Sequence, residues 1–96
     1  MPVEIVKFWA PWCGSCRLFA PTVERLVNER PSEFALRDVD LSRDPEEAAV
    51  RSVVSLPTLV FLVDGTEARR VVGAMSFNEL SGIAAEVLEE VASARQ

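Results

Sequence analysis

From Val3 to Trp9 the chain alternates, with Ile5, Lys7 and Trp9 on one side and Val6, Phe8 and Ala10 on the other. A period of two predicts a strand, and Lys7 alone does not suit a buried face. From Cys13 the period lengthens. Cys16, Phe19, Ala20, Val23, Leu26 and Val27 recur at helical spacing, while Arg17, Glu24, Arg25 and Glu29 face outward. This amphipathic helix is expected to break or kink at Pro21, which has no N–H to donate to the Arg17 carbonyl, and to end at "ERPSE". Phe34 to Leu41 reads as a second strand. Asp44 as N-cap, Pro45 at the first helical position and Glu47 as the far side of a capping box then predict a short helix to about Arg51. The β-branched and aromatic run Thr58 to Val63 predicts a strand covered on both faces. After the turn "DGTE", Ala68 to Gly73 returns as its hairpin partner. Ser76 and Glu79 form a second capping box ahead of the stripe Phe77, Leu80, Ile83, Ala84, Val87, Leu88 and Val91, with "ASARQ" expected to fray. The resulting order is β-α-β-α-β-β-α. Its first strand–helix–strand unit calls for a parallel right-handed crossover, and its last two strands for an antiparallel pair.

Composition narrows what such a chain does. Its 96 residues, 49% of them hydrophobic, suit a single domain over 1–96 that buries one core without cross-links. A formal charge of −5 with no basic cluster argues against nucleic acid or an anionic membrane as partner. No apolar run reaches signal-peptide or membrane-spanning length, so the expected location is the cytoplasm. The chemistry is concentrated in "FWAPWCGSCRLFAP", Phe8 to Pro21, which holds both cysteines. A cysteine at the mouth of a helix sits among unpaired N–H groups that favour a thiolate, which makes Cys13 the nucleophile. Cys16, three residues on and turned toward the core, is within disulfide reach and becomes the resolving thiol. Two cysteines and no histidine argue against a closed zinc site within one chain, and a zinc or cluster shared between two chains is the other metal reading. Closing so short a loop would add little stability, which disfavours a purely structural disulfide.

Those residues carry a resemblance. "FWAPWCGSCRLFAP", then "VSLPTLVFLVDG" and "VVGAMS", are similar in order and spacing to the landmarks of the thioredoxin family over almost the whole chain. The resemblance implies a thioredoxin-like α/β fold with a four-stranded mixed sheet of order 2-1-3-4 and helices on both faces. Cys13 matches the family's attacking cysteine, Cys16 its resolving cysteine, and Trp12 the indole beside the site. Gly14 and Ser15, between the cysteines, go with them to substrate binding. Pro57 matches a cis-proline facing the disulfide, Leu56 the residue that offers backbone groups to an extended substrate, and Gly73 a position that leaves room for that substrate's backbone.

Three departures from the family pattern change the picture. The chain begins at what resembles the family's second strand, leaving the edge at Phe34 to Leu41 exposed. Ser15 stands where the family has proline, adding a hydroxyl near the sulfurs and shifting the couple toward oxidation. Lys7 occupies the position of a buried acid, and Asp38 that of the lysine paired with it. The two are expected to face each other beneath Cys16, where Lys7 would stabilise or deprotonate the thiolate and Asp38 would support it, unless the pair is structural only. The implied function is reduction of protein disulfides by a monomer that a separate reductase re-reduces. No metal or organic cofactor is implied, because no nicotinamide or flavin fingerprint is present. The alternatives are a disulfide oxidase or isomerase, a glutathione-linked oxidoreductase, and a non-catalytic binding module of the same fold.

Overall fold

Strand β1 (Val3–Trp9) runs through the middle of a four-stranded sheet, flanked by the parallel β2 (Phe34–Asp40) and the antiparallel β3 (Thr58–Val63), with β4 (Thr66–Val72) outside β3. This is the order 2-1-3-4, seen in a computed structural model that describes residues 2–95. Helices α1 (Gly14–Glu29), α2 (Pro45–Val50) and α3 (Phe77–Ala94) complete the expected β-α-β-α-β-β-α succession. Among the described residues, no helix is long and apolar enough to cross a membrane.

The period-two alternation sorts the core into two layers. On one face Ile5, Phe34, Leu59 and Phe61 pack with Phe19, Val23 and Leu26 of α1 and with Leu80, Ala84 and Val87 of α3. On the other, Val6, Phe8, Val39, Val60 and Leu62 pack with Ala48 of α2 and with Val53. Lys7 has the parity of Ile5, and Asp38 that of Phe34, so both point to the α1 side. Arg37 points to the α2 side, where it donates to Glu47 of α2 at 2.6 Å and to Glu4 of β1 at 3.4 Å.

Register decides where the loops gather. Phe8 pairs with Thr58, Trp9 with Asp40, and Thr58 with Val72. The ends of β1, β2 and β4 and the start of β3 therefore share one edge of the molecule. The segments 10–13, 51–57 and 73–76 leave from it. Arg70 anchors the middle segment, donating to the carbonyls of Arg51 at 2.6 Å and Ser52 at 3.2 Å, while Glu67 holds its guanidinium.

Several local expectations are revised. Helix α1 runs continuously through Pro21 rather than breaking there. The Asp44 side chain makes no cap hydrogen bond. Its intended partner Glu47 is drawn instead to Arg37 and Arg51, where charge-assisted contacts are stronger than a reciprocal cap. Strand β4 begins at Thr66, two residues early, because Asp64 and Gly65 both adopt positive φ and close a tight hairpin. A register shift opposite Phe61 and Leu62 absorbs the added length. Helix α3 persists to Ala94, so most of "ASARQ" is helical, and Gln96 lies outside the described residues. The Ser76–Glu79 capping box forms as expected.

Candidate active site

Cys13 is the N-cap of α1 and is bonded to Cys16 through a disulfide, with Cα atoms 5.3 Å apart. Its extended backbone conformation turns the side chain back over the first helical turn, where Cys13 Sγ accepts the Cys16 N–H at 3.2 Å. Serine or aspartate ordinarily fills such a position because its oxygen satisfies one of the unpaired N–H groups. Here sulfur does so. The Ser15 hydroxyl lies 3.5 Å from the same sulfur. A disulfide sulfur carries no proton, so the hydroxyl is the donor. Cys13 is half-buried, whereas Cys16 is only 4% exposed, so an incoming group meets Cys13 first.

Trp12, 69% exposed, precedes the disulfide. The Leu56–Pro57 bond is cis, and the Gly73 N–H donates to the Pro57 carbonyl at 2.8 Å, joining the second and third loops. Gly73 has φ +92, a left-handed conformation that explains the glycine, while an added Cβ would meet nothing within 4 Å. Glycine here answers to the backbone conformation and not to crowding around the residue. A Cβ at Gly14 would likewise meet open space.

Beneath Cys16 lies a cleft of about 200 Å³ lined by Lys7, Trp9, Cys16, Arg17, Ala20 and Asp38. Lys7 Nζ is 3.0 Å from Asp38 Oδ1; the lysine side chain is 10% exposed and the aspartate 51%. The two face each other as expected, with the cation on the inner strand. The indole nitrogen of Trp9 is buried and has no hydrogen-bond partner among the described residues. Trp9 and Arg17 were not singled out from the sequence. The signal for Trp9 was its parity with Lys7, and for Arg17 its place directly after Cys16.

A mixed sheet that carries a Cys-x-x-Cys disulfide at a helix N-terminus, with a cis-proline loop at the same sheet end, defines a recognised class of α/β proteins. The chain belongs to the thioredoxin family, whose family model, Thioredoxin, matches residues 2–86. It is similar to a thioredoxin of Mycobacterium tuberculosis, 41% identical over 70 residues, which are 73% of this chain and 60% of that protein. It is also similar to a thioredoxin of Staphylococcus aureus, 36% identical over 88 residues, 92% of this chain and 81% of the relative. Among solved structures, a thioredoxin-2 described as a component of malaria parasite protein secretion machinery superimposes with a TM-score of 0.83. It is 28% identical and the match covers 88% of this chain and 82% of that one. The chain thus spans 60% of the length of the mycobacterial relatives it matches.

Proposed function

We propose that the protein is a thiol–disulfide oxidoreductase whose principal reaction is reduction of protein disulfides. The observation that carries this reading is the asymmetry of the cysteine pair: Cys13 is only half-buried and accepts a helix N-terminal N–H, whereas Cys16 is buried behind it. In the dithiol state, the N–H groups and the Ser15 hydroxyl that now face Cys13 Sγ would stabilise a thiolate. That thiolate attacks one sulfur of the substrate disulfide, and the other sulfur leaves with the electron pair of the broken bond and takes up a proton. The Cys16 thiolate then attacks Cys13 Sγ in the mixed disulfide and expels the second substrate thiolate. Two thiols of the protein become a disulfide, and the substrate disulfide becomes two thiols.

Trp12, Gly14, Ser15, Leu56, Pro57 and Gly73 form the substrate-binding surface, supported by their convergence on one sheet end. Lys7 and Asp38 act on the proton of Cys16, supported by the cleft they share with it. A separate reductase restores the dithiol, since the sequence carries no cofactor fingerprint of its own. We further propose that residues 1–96 form a single domain and that the protein acts as a monomer in the cytoplasm. The Ser15 hydroxyl favours one variation, a couple poised to oxidise or isomerise, because stabilising a reduced thiolate raises the potential.

The test is turnover of a disulfide-bonded protein with dithiothreitol as electron donor. Cys13→Ser should abolish it, and Cys16→Ser should leave the protein trapped on its substrate as a mixed disulfide visible by mass. If biological activity survives loss of both cysteines, the protein is a binding module instead. A reduction potential well below that of cytosolic glutathione supports the reductase reading, and one near or above it the oxidising variation.

A further inference from the structure

A second cleft, of about 320 Å³, is lined by Ser15, Leu18, Phe19 and Thr22 of α1 and by Ala74 and Met75 of the segment after β4. At 100° per residue, these α1 positions lie on the opposite flank of the helix from Cys16, Arg17 and Ala20, so this cleft is separate from the one holding Lys7. None of its six lining residues is charged, in a chain where 26% of residues are. Its outer wall is Leu18, an aliphatic side chain 82% exposed on the face of α1 away from the core stripe. Its inner wall is the buried Phe19 and the half-buried Met75.

The geometry also restricts what can fill it. Ser15 lines the cleft and keeps its hydroxyl 3.5 Å from Cys13 Sγ, so a polypeptide joined to that sulfur arrives at the mouth of the cleft. In an extended chain, side chains alternate between faces and advance about 3.3 Å per residue. The residues next to the substrate cysteine therefore point away, and those two positions from it return to the protein's side about 7 Å along. We propose that this cleft is a side-chain subsite for an uncharged aliphatic residue two positions from the reacting cysteine, on the side of the substrate that runs along α1. The proposal rests on the disulfide-reductase reading and adds a substrate class to it. Polypeptides with Leu, Ile, Met or Val at that position are preferred over those with a polar or acidic residue there.

The test compares disulfide-linked peptides that differ only by Leu or Ser at each of the two positions on either side of the cysteine. Each kcat/KM is divided by the same protein's rate with bis(2-hydroxyethyl) disulfide, which is too short to enter the cleft. Leu at one of the two outer positions should raise this ratio about tenfold, and Leu at the inner positions by less than about twofold. Leu18→Glu should erase the outer preference. Equal ratios for Leu and Ser at both outer positions, or a preference that survives Leu18→Glu, would overturn the proposal. An independent readout requires no turnover: each peptide is joined chemically to Cys13 of Cys16→Ser protein, and the methyl resonances of Leu18 and Met75 are compared. They should move with an outer Leu and not with an outer Ser; no difference between the two overturns the subsite. A protein that fails to reduce the small disulfide sinks the reductase reading, while the methyl comparison still decides the cleft.

Discussion

At the scale of single residues, Cys13 Sγ draws on two donors of different kinds. The Cys16 N–H is supplied by the helix itself, and any residue but proline at that position would supply it. The Ser15 hydroxyl is a choice of this sequence. If it stabilises the thiolate, Ser15→Ala should lower the reduction potential of the couple by up to about 30 mV, equivalent to about 1.4 kcal/mol. Equilibration against a graded thiol–disulfide buffer, followed by tryptophan fluorescence, measures it, and an unchanged potential would remove Ser15 from the redox chemistry. Lys7 is the other residue with a proposed chemical role. If it acts on the proton of Cys16, with which it and Asp38 share a cleft, its cation favours the Cys16 thiolate. Lys7→Met should shift the pH–rate profile for release of the mixed disulfide to higher pH by about one unit. Arg17 and Asp38 also line the cleft and remain in the variant. A profile that does not move, with stability alone altered, would leave the pair a structural one.

At the scale of elements, β2 is held to its neighbours by charge as well as by its ladder. The Arg37 guanidinium holds the Glu47 carboxyl below the ordinary carboxylate range through a direct hydrogen bond, with desolvation opposing, and Arg51 adds to the effect. A carboxylate depressed in the folded state contributes stability that is present above its unfolded value of about 4.5 and lost as the pH falls through the lower folded value. Glu67, held the same way by Arg70, adds a second contribution of the same sign. Arg37→Gln should therefore lower stability at pH 7 and lower it less at pH 3. Urea unfolding at both pH values checks this, and an equal loss at both would mean that Arg37 acts through packing of its stem. The same pair explains why the Asp44–Glu47 capping box, legible in the sequence, does not form. A capping signature is local, and it lost to a cation delivered from β2 by the fold. Pro21 teaches the opposite lesson about α1. The helix is anchored by Phe19, Val23 and Leu26 on the sheet, and this tertiary packing outweighs one missing backbone hydrogen bond.

At the scale of the whole molecule, both core layers meet on β1 and β3, and Phe61 is their largest central side chain on the α1–α3 face. Its ring meets that of Phe34 edge-on, with centroids 6.2 Å apart, which ties β3 to β2 across β1. Phe61→Ala should cost about 3–5 kcal/mol, a large share of the stability of a domain this size. Denaturant unfolding of the oxidised protein measures it, and a loss below about 1 kcal/mol would mean that the layer refills the space. The sequence by itself determined the type and order of every element, because periods of two and 3.6 record which side of each element meets the core. It also marked the cysteine pair by its spacing, while the cis-proline position and the opposed Lys7 and Asp38 followed only from the resemblance to the thioredoxin family. Only the tertiary structure decided which loops share an end of the sheet, because strand register is set by pairing between distant segments. It alone gathered Trp9 and Arg17 around Lys7 and built a second cleft from Leu18 and Met75. Leu18 and Met75 lie far apart in the chain, and a cavity exists only where separate elements fail to close the space between them.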